Sequence, residues 1–486
     1  MTEIQNTRFC IFIVGLAAST HLFGCATASD RSSAINVSAY ADEARQIREA
    51  VMRSNDAYAD LAELCDEYGP RLSGSVALER AIDWAQQKMK ADGLANVRAE
   101  PVMVPKWVRG EERLTLVAPH ERPIEMLGLG GSVGTPPGGI EAEVLVVPSI
   151  EKLRELGHSA AKGKIVLFNY PMKPYDPETG SGYGDVVRYR GSGAMWAAEA
   201  GAVAALVRSV TAYAFNAPHT GAMRYADSLE NERIPTAAIA IEDAESMARL
   251  QARGVPVRVR LEMGARDEGM VPSANVIGEI VGREKPEEIV IISGHFDSWD
   301  VGHGAHDDGG PCVSMMEAAA ALKRLNLVPR RTIRVVLWTN EENGLRGARQ
   351  YVEDHADELA NHVAAIESDA GIFEPQGFSV QYADKDRQQR AATDLAGILR
   401  LLKPLGATQA RAGFSGADVG QLAPGGAACL GLSVDGAHYF DYHHSHADTF
   451  DKIDKAILDK HVAAVATLAY ILADMPGRLG DESSRG

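Results

Sequence analysis

The chain has 486 residues, more than a single hydrophobic core usually organises, so two domains are expected. Its 45% hydrophobic and 24% charged residues are ordinary for a soluble globular protein. A formal net charge of −17 excludes the basic surface that phosphate binding needs, so nucleic acid is not an expected partner.

The run from Phe9 to Ala18 is apolar, too short to span a bilayer permanently, and suited to the core of an export signal. It leads into Leu22-Phe23-Gly24-Cys25, which resembles the lipobox of bacterial lipoproteins. The resemblance implies a signal peptide over residues 1–25, a lipid on Cys25 as the sole link to the membrane, and a periplasm-facing protein. Residues 26–36 then serve as a Ser/Ala-rich tether. A plainly cleaved signal, giving a secreted or periplasmic protein, and a retained anchor are the alternatives. Cys65, Cys312 and Cys429 are scattered and form no Cys-x-x-Cys zinc pattern. They are expected to pack as small apolar residues, with one disulfide left open.

From Val37 to Asp92 the chain is predicted mostly helical, with apolar residues at helical spacing through Ala77–Met89 and a stop at Asp92-Gly93. Strand-like segments follow, and the Gly/Pro-rich stretch Gly128–Gly139 marks a loop or boundary. Short strands at Ala142–Val147 and Lys164–Phe168 then alternate with Ala-rich helical stretches such as Met195–Ala202. The segments Gly163–Phe168, Gly201–Val207 and Ile234–Ile239 resemble the protease-associated domain inserted in several exopeptidases. That resemblance implies an insertion over 123–265, dividing a peptidase domain into 37–122 and 266–480.

From Asn275 onward strands and helices alternate. Strands are predicted at Ile289–Ser293, Thr332–Trp338, His362–Ile366 and Ala428–Ser433. Helices are predicted at Gly310–Leu325, Leu345–Leu359, Gln388–Leu402 and Ile453–Leu472. Continuous apolar strands between amphipathic helices indicate an α/β fold, a mostly parallel mixed sheet covered by helices on both faces. His295 and Asp297, Glu341 and Glu342, and Asp369 all fall just past the ends of apolar strands, where open α/β sheets place their sites. Metal-assisted hydrolysis needs a cation to acidify water, a carboxylate to carry its proton and an open coordination position. The Gly-rich loop Gly302–His306 can bring Asp307 back to His295, and Asp297 suits a supporting role in orienting the imidazole or the base.

Together, His295-Phe-Asp297, Asp307-Asp308-Gly, Asn340-Glu341-Glu342, Glu367-Ser-Asp369 and His443-His444-Ser-His446-Ala-Asp448 resemble the zinc exopeptidases of the aminopeptidase and carboxypeptidase Q type. The resemblance leans to the carboxypeptidase Q branch. It implies two Zn2+ per chain, a peptide substrate and a homodimer. His295 and Asp369 would hold one ion and Glu342 and His444 the other, with Asp307 bridging and Glu341 the general base. His444 is selected by lying four residues before Asp448, with His446 as the alternative. Many aminopeptidases of the group carry Tyr where this chain has His443, so His443 is a candidate oxyanion donor or a packing residue. His303 and His306 are expected to be wall residues, Cys312 to pack, and Asp418 to cap a helix or bind a substrate amine. The expected activity is hydrolysis of dipeptides or short peptides. The alternatives are an aminopeptidase, a one-zinc glutaminyl cyclase-like enzyme, or a non-catalytic receptor on the same fold.

Overall fold

The computed structural model describes residues 36–226 and 233–481; the export signal with Cys25, and the tether up to residue 35, lie outside the described residues. The main sheet has eight strands in the order Ala95–Val108, Arg266–Ile280, Arg331–Trp338, Lys285–His295, His362–Glu367, Ala428–Val434, Pro375–Gln381 and Gln409–Ala412. The four middle strands, from Arg331–Trp338 to Ala428–Val434, run parallel, and antiparallel partners flank them on both sides.

Alternate residues of one strand feed two cores, as a pleated strand requires. Val290 and Ile292 enter the larger core with the helices Val76–Ala91, Gly310–Arg324 and Lys455–Asp474. Ile289 and Ile291 enter a smaller one with Trp338, Tyr351 and Leu422. The Lys455–Asp474 helix is apolar and long enough to cross a membrane, yet its length is packed inside the larger core. It starts where Asp454 accepts from the amides of Ala456 and Ile457, and Ser75 caps Val76–Ala91 in the same way through Leu78.

A second eight-stranded sheet is ordered Arg122–Ile124, Glu112–Ala118, Arg258–Met263, Ile140–Val147, Ile165–Phe168, Ala204–Arg208, Thr236–Ile239 and Met126–Gly128. It therefore takes in Glu112–Ala118, which the sequence placed with the first part of the peptidase domain. Both crossings to the main sheet are short, at Arg109–Glu111 and at Gly264-Ala265. Trp107 and Trp299, from the main-sheet side, are buried in the core of the second sheet. Its long helix spans Tyr183–Glu199, starting well before the predicted Met195. Gly184, Gly191 and Gly193 disguise its first turns, because glycine lowers helix propensity by about 1 kcal/mol.

Candidate metal centre

Parallel register sets the site. Ser293 pairs with Val336 on one side and Glu367 on the other, so the residues after all three strands emerge at one edge. His295 ends the first strand, Glu341-Glu342 follow the second, and Asp369 follows the third. The loop before Gly310 returns Asp307 to the same edge.

Asp307 turns one carboxylate oxygen towards each of two histidines. Its Oδ1 lies 3.1 Å from His295 Nε2, and its Oδ2 lies 3.2 Å from His444 Nε2. His295 Nε2 also faces Asp369 Oδ1 at 3.4 Å, and His444 Nε2 faces Glu342 Oε2 at 3.0 Å. The five ligand candidates read from the sequence are thus brought together, four of them buried and Asp369 a quarter exposed. Overlapping trios able to hold a cation are His295-Asp307-Glu342, His295-Asp308-Asp369 and Asp307-His443-His444. Asp308 was not singled out from the sequence as a ligand; it accepts from the His295 amide at 2.9 Å.

The donor set fits zinc, which favours imidazole and carboxylate. Buried Glu342 Oε1 and Asp308 Oδ1 have no hydrogen-bond partner among the described residues. Burial pushes the Glu342 carboxyl up to about 7 despite the pull of His444, and pushes Glu341 well above the usual carboxylate range, with Asp369 and Asp418 adding repulsion. Against burial, Asp308, Asp307 and Asp369 hold the His295 imidazole well above its ordinary value. Such a cluster of buried acids is stabilised by a divalent cation.

Asp297 is hydrogen-bonded to both His295 and the Glu-Glu turn. Its backbone carbonyl faces His295 Nδ1 at 2.9 Å, which selects the tautomer whose Nε2 is free. Its carboxylate accepts from the amides of Glu341 at 3.0 Å and Glu342 at 3.3 Å, and from Ser73 Oγ at 3.0 Å. It therefore orients the imidazole and the Glu-Glu turn together.

Asp448 binds the loop that carries Asp307. Its carboxylate accepts from the amides of Ala305, His306 and Asp307 at 3.1, 2.7 and 3.1 Å. His306 is a wall residue, stacked on Phe373 at 4.6 Å, and His446 is exposed outside the cluster. Cys312 donates to the His295 carbonyl, and Cys65, Cys312 and Cys429 are buried free thiols. His443 lies buried with its ring 3.5 Å from that of His444 and its Nε2 3.8 Å from Asp307 Oδ2.

Asp418 departs from the helix-cap expectation. It precedes the short 3-10 helix Val419–Gly425 but makes no side-chain cap bond. Glu367 takes those amides instead, accepting from Ala417 at 3.0 Å and Val419 at 2.7 Å. Gly416 permits this, since a Cβ there would fall 2.3 Å from the Glu367 carboxyl carbon. Three residues of the second-sheet unit also reach the centre, and the sequence reading did not identify them: Tyr183, Arg190 and His219. Arg190 Nη1 contacts His444 Nδ1 at 3.2 Å, and His219 Nδ1 contacts the His443 carbonyl at 2.7 Å. No spacing signal connects them to the ligands.

Comparison with known proteins agrees with this geometry. The profile of peptidase family M28 matches residues 275–469. Carboxypeptidase Q of Mus musculus is 40% identical over 472 residues, covering 96% of this chain and 97% of its own. The Homo sapiens carboxypeptidase Q is 42% identical over 421 residues, covering 87% and 86%. Among solved structures, a peptidase M28 precursor from Shewanella amazonensis SB2B superposes with a TM-score of 0.86 at 35% identity, covering 91% of this chain and 98% of that one. The fold is shared with a zinc aminopeptidase from Bacillus subtilis, TM-score 0.60 at 21% identity, covering 86% and 95%. The chain belongs to peptidase family M28 and is a metallo-exopeptidase.

Proposed function

We propose that this chain is a di-zinc exopeptidase acting on dipeptides or short peptides, exported and tethered by a lipid on Cys25. The observation that carries the two-ion reading is Asp307, whose two oxygens face two separate imidazoles 3.1 and 3.2 Å away. In this reading His295 and Asp369 would hold one ion and Glu342 and His444 the other, with the Asp307 carboxylate shared between the two sites. When bound, zinc supplies a Lewis acid that lowers the pKa of water and polarises a carbonyl.

The remaining work falls to the side chains. Glu341 accepts the proton of the attacking water and passes it to the leaving amine; burial, which raises its proton affinity, suits it to holding that proton between the two transfers. Asp297 keeps the Glu341 amide in place, so the base is positioned by the same carboxylate whose backbone orients His295. His443, adjacent to His444, donates to the developing oxyanion. The unit built on the second sheet is assigned as a protease-associated insertion.

Titration of the apoprotein with zinc tests the reading. Two equivalents per chain, with release of free amino acids from dipeptides, are expected. One equivalent with formation of pyroglutamate from N-terminal Gln peptides would overturn it in favour of a glutaminyl cyclase. Conversion of Cys25 to Ser should release the protein from membranes, as the lipid chains supply the anchor. An uncleaved N-terminus still bound to membrane would refute that part.

A further inference from the structure

Of the five ligand candidates, His444 alone has a left-handed backbone, with φ at 59°. A residue with a β-carbon disfavours that region, and it persists there only where its surroundings over-determine it. What holds His444 in place comes from the other unit of the chain.

Two peptide groups flank the His444 α-carbon, and each is held by a residue of the second-sheet unit. His219 Nδ1 donates to the His443 carbonyl at 2.7 Å, and the Thr220 amide donates to the His444 carbonyl at 2.9 Å. The first bond restrains φ of His444 and the second restrains ψ. A carbonyl only accepts, so Nδ1 carries the His219 ring proton, and both His219 and Thr220 are buried. With its backbone set in this way, His444 turns Nε2 to Glu342 at 3.0 Å and to Asp307 at 3.2 Å.

This clamp is itself anchored in the second sheet. The His219 amide donates to Ser209 Oγ at 2.9 Å, and that hydroxyl donates to the Ile239 carbonyl at 2.8 Å. Ser209 follows the strand Ala204–Arg208, and Ile239 ends its neighbour Thr236–Ile239. Thr220 Oγ1 donates to the Gly128 carbonyl at 2.8 Å. Gly130 ties down the residues that follow, donating to the Gly221 carbonyl at 3.0 Å and accepting from the Met223 amide at 2.9 Å. A Cβ at Gly130 would fall 2.0 Å from the ring of Trp299, which lies 5.6 Å from the His444 ring. The other half of the centre is built from the main sheet. His295 ends one strand, Asp369 follows the next, and Asp308 accepts from the His295 amide.

We propose that His219 and Thr220 are positioning residues through which the second-sheet unit sets the backbone of His444, so that its docking completes the Glu342–His444 cation site and leaves the His295–Asp369 site independent of it. This rests on the two-ion reading above and deepens it.

The test compares zinc retention in wild type and three variants by competition with a chelator. His219→Phe keeps a ring in the buried position and removes the donor. His219→Gln removes it in a second way, since its N–H sits further from the main chain, and serves if the Phe variant folds poorly. His219→Asn keeps an N–H near the Nδ1 position. In His219→Phe and His219→Gln one zinc ion should be held roughly ten- to a hundred-fold more weakly and the other as in wild type, as for other supporting partners of metal ligands. His219→Asn should restore most of the weakened site. Hydrogen exchange of the metal-free proteins reads the clamp without zinc: amides of residues 439–448 should exchange faster in His219→Phe, and those of 289–295 at the wild-type rate. Unchanged retention of both ions, equal weakening of both, or unchanged exchange in 439–448 would each overturn the proposal. If the wild type binds a single zinc ion, the two-ion reading fails, and the exchange comparison alone decides whether His219 sets the His444 backbone.

Discussion

Glu341 is a member of the acid cluster whose chemistry is separable from metal retention. Its amide is fixed by Asp297, and among the described residues no side-chain hydrogen bond claims its carboxylate. Glu341→Gln should keep bound zinc and lose turnover on the order of a hundred- to ten-thousand-fold, since an amide cannot accept the water proton. Glu342→Gln should lower both zinc content and activity, because Glu342 Oε2 faces His444 at 3.0 Å. Metal analysis beside steady-state kinetics separates the two, and near-normal turnover in Glu341→Gln would remove it as the base. His443 admits a sharper comparison. If it donates to the oxyanion, His443→Phe should cost on the order of 2.7–4 kcal/mol in turnover with zinc unchanged, and His443→Tyr should recover part through its phenol. Small, equal losses would mark it as packing against His444. His295, Glu342 and Asp369 were legible as candidates because they fall at or just past strand ends, where open α/β sheets place their sites, whereas Asp307 lies on a Gly-rich loop and His444 was selected only through the family resemblance. Arg190 and Tyr183 were not, because their nearness to His444 is created by the docking of one unit on another.

At the scale of elements, the strands that carry the site were readable and the marginal ones were not. Ile289–Ile292 and Val363–Ile366 are continuous apolar runs buried on both faces, the pattern expected of parallel strands. The outermost strand, Gln409–Ala412, is short and mostly exposed, so hydrophobic periodicity has nothing to report. The loop before Gly310 depends on a residue distant in sequence: Asp448 accepts three successive amides and so fixes the backbone of Asp307. Asp448→Asn replaces one acceptor oxygen by a donor facing an amide N–H. Zinc affinity should fall by roughly ten- to a hundred-fold, as for other supporting partners of metal ligands, with the unfolding transition still cooperative. Unchanged zinc affinity by competition with a chelator would show that the loop holds its shape without that carboxylate. The Lys455–Asp474 helix has the opposite character, contributing packing rather than ligands. Leu458 is fully buried in the larger core, and Leu458→Ala should cost about 2–5 kcal/mol in denaturant unfolding through the cavity it leaves.

Across the whole molecule, the main sheet is closed at the end opposite the metal centre by an ion cluster that ties distant parts of the chain. Glu288, at the start of the strand that delivers His295, pairs with Arg331 and with Arg478, the latter at 3.2 Å. Arg331 is itself buried and donates to the carbonyls of Leu472 at 3.1 Å, in the last turn of the last long helix, and of Met475 at 2.7 Å, just past it. Burial alone would raise the Glu288 carboxyl, but the two guanidinium groups outweigh it and bring it from 4.5 down to about 2. A folded-state value below the unfolded one means that the folded protein holds fewer protons between them. The stabilisation is therefore complete above pH 4.5 and is lost as pH falls towards 2. Glu288→Gln keeps the shape and removes the charge, leaving Arg331 short of a counter-ion. At neutral pH it should lower stability by about 1.5–3 kcal/mol, the range for a hydrogen bond to a charged group. The difference between the variant and the wild type should shrink as unfolding is measured at successively lower pH below 4.5, while zinc stoichiometry at neutral pH stays unchanged. A difference independent of pH would mean that the guanidinium groups are held by the carbonyls alone and that the Glu288 charge contributes nothing.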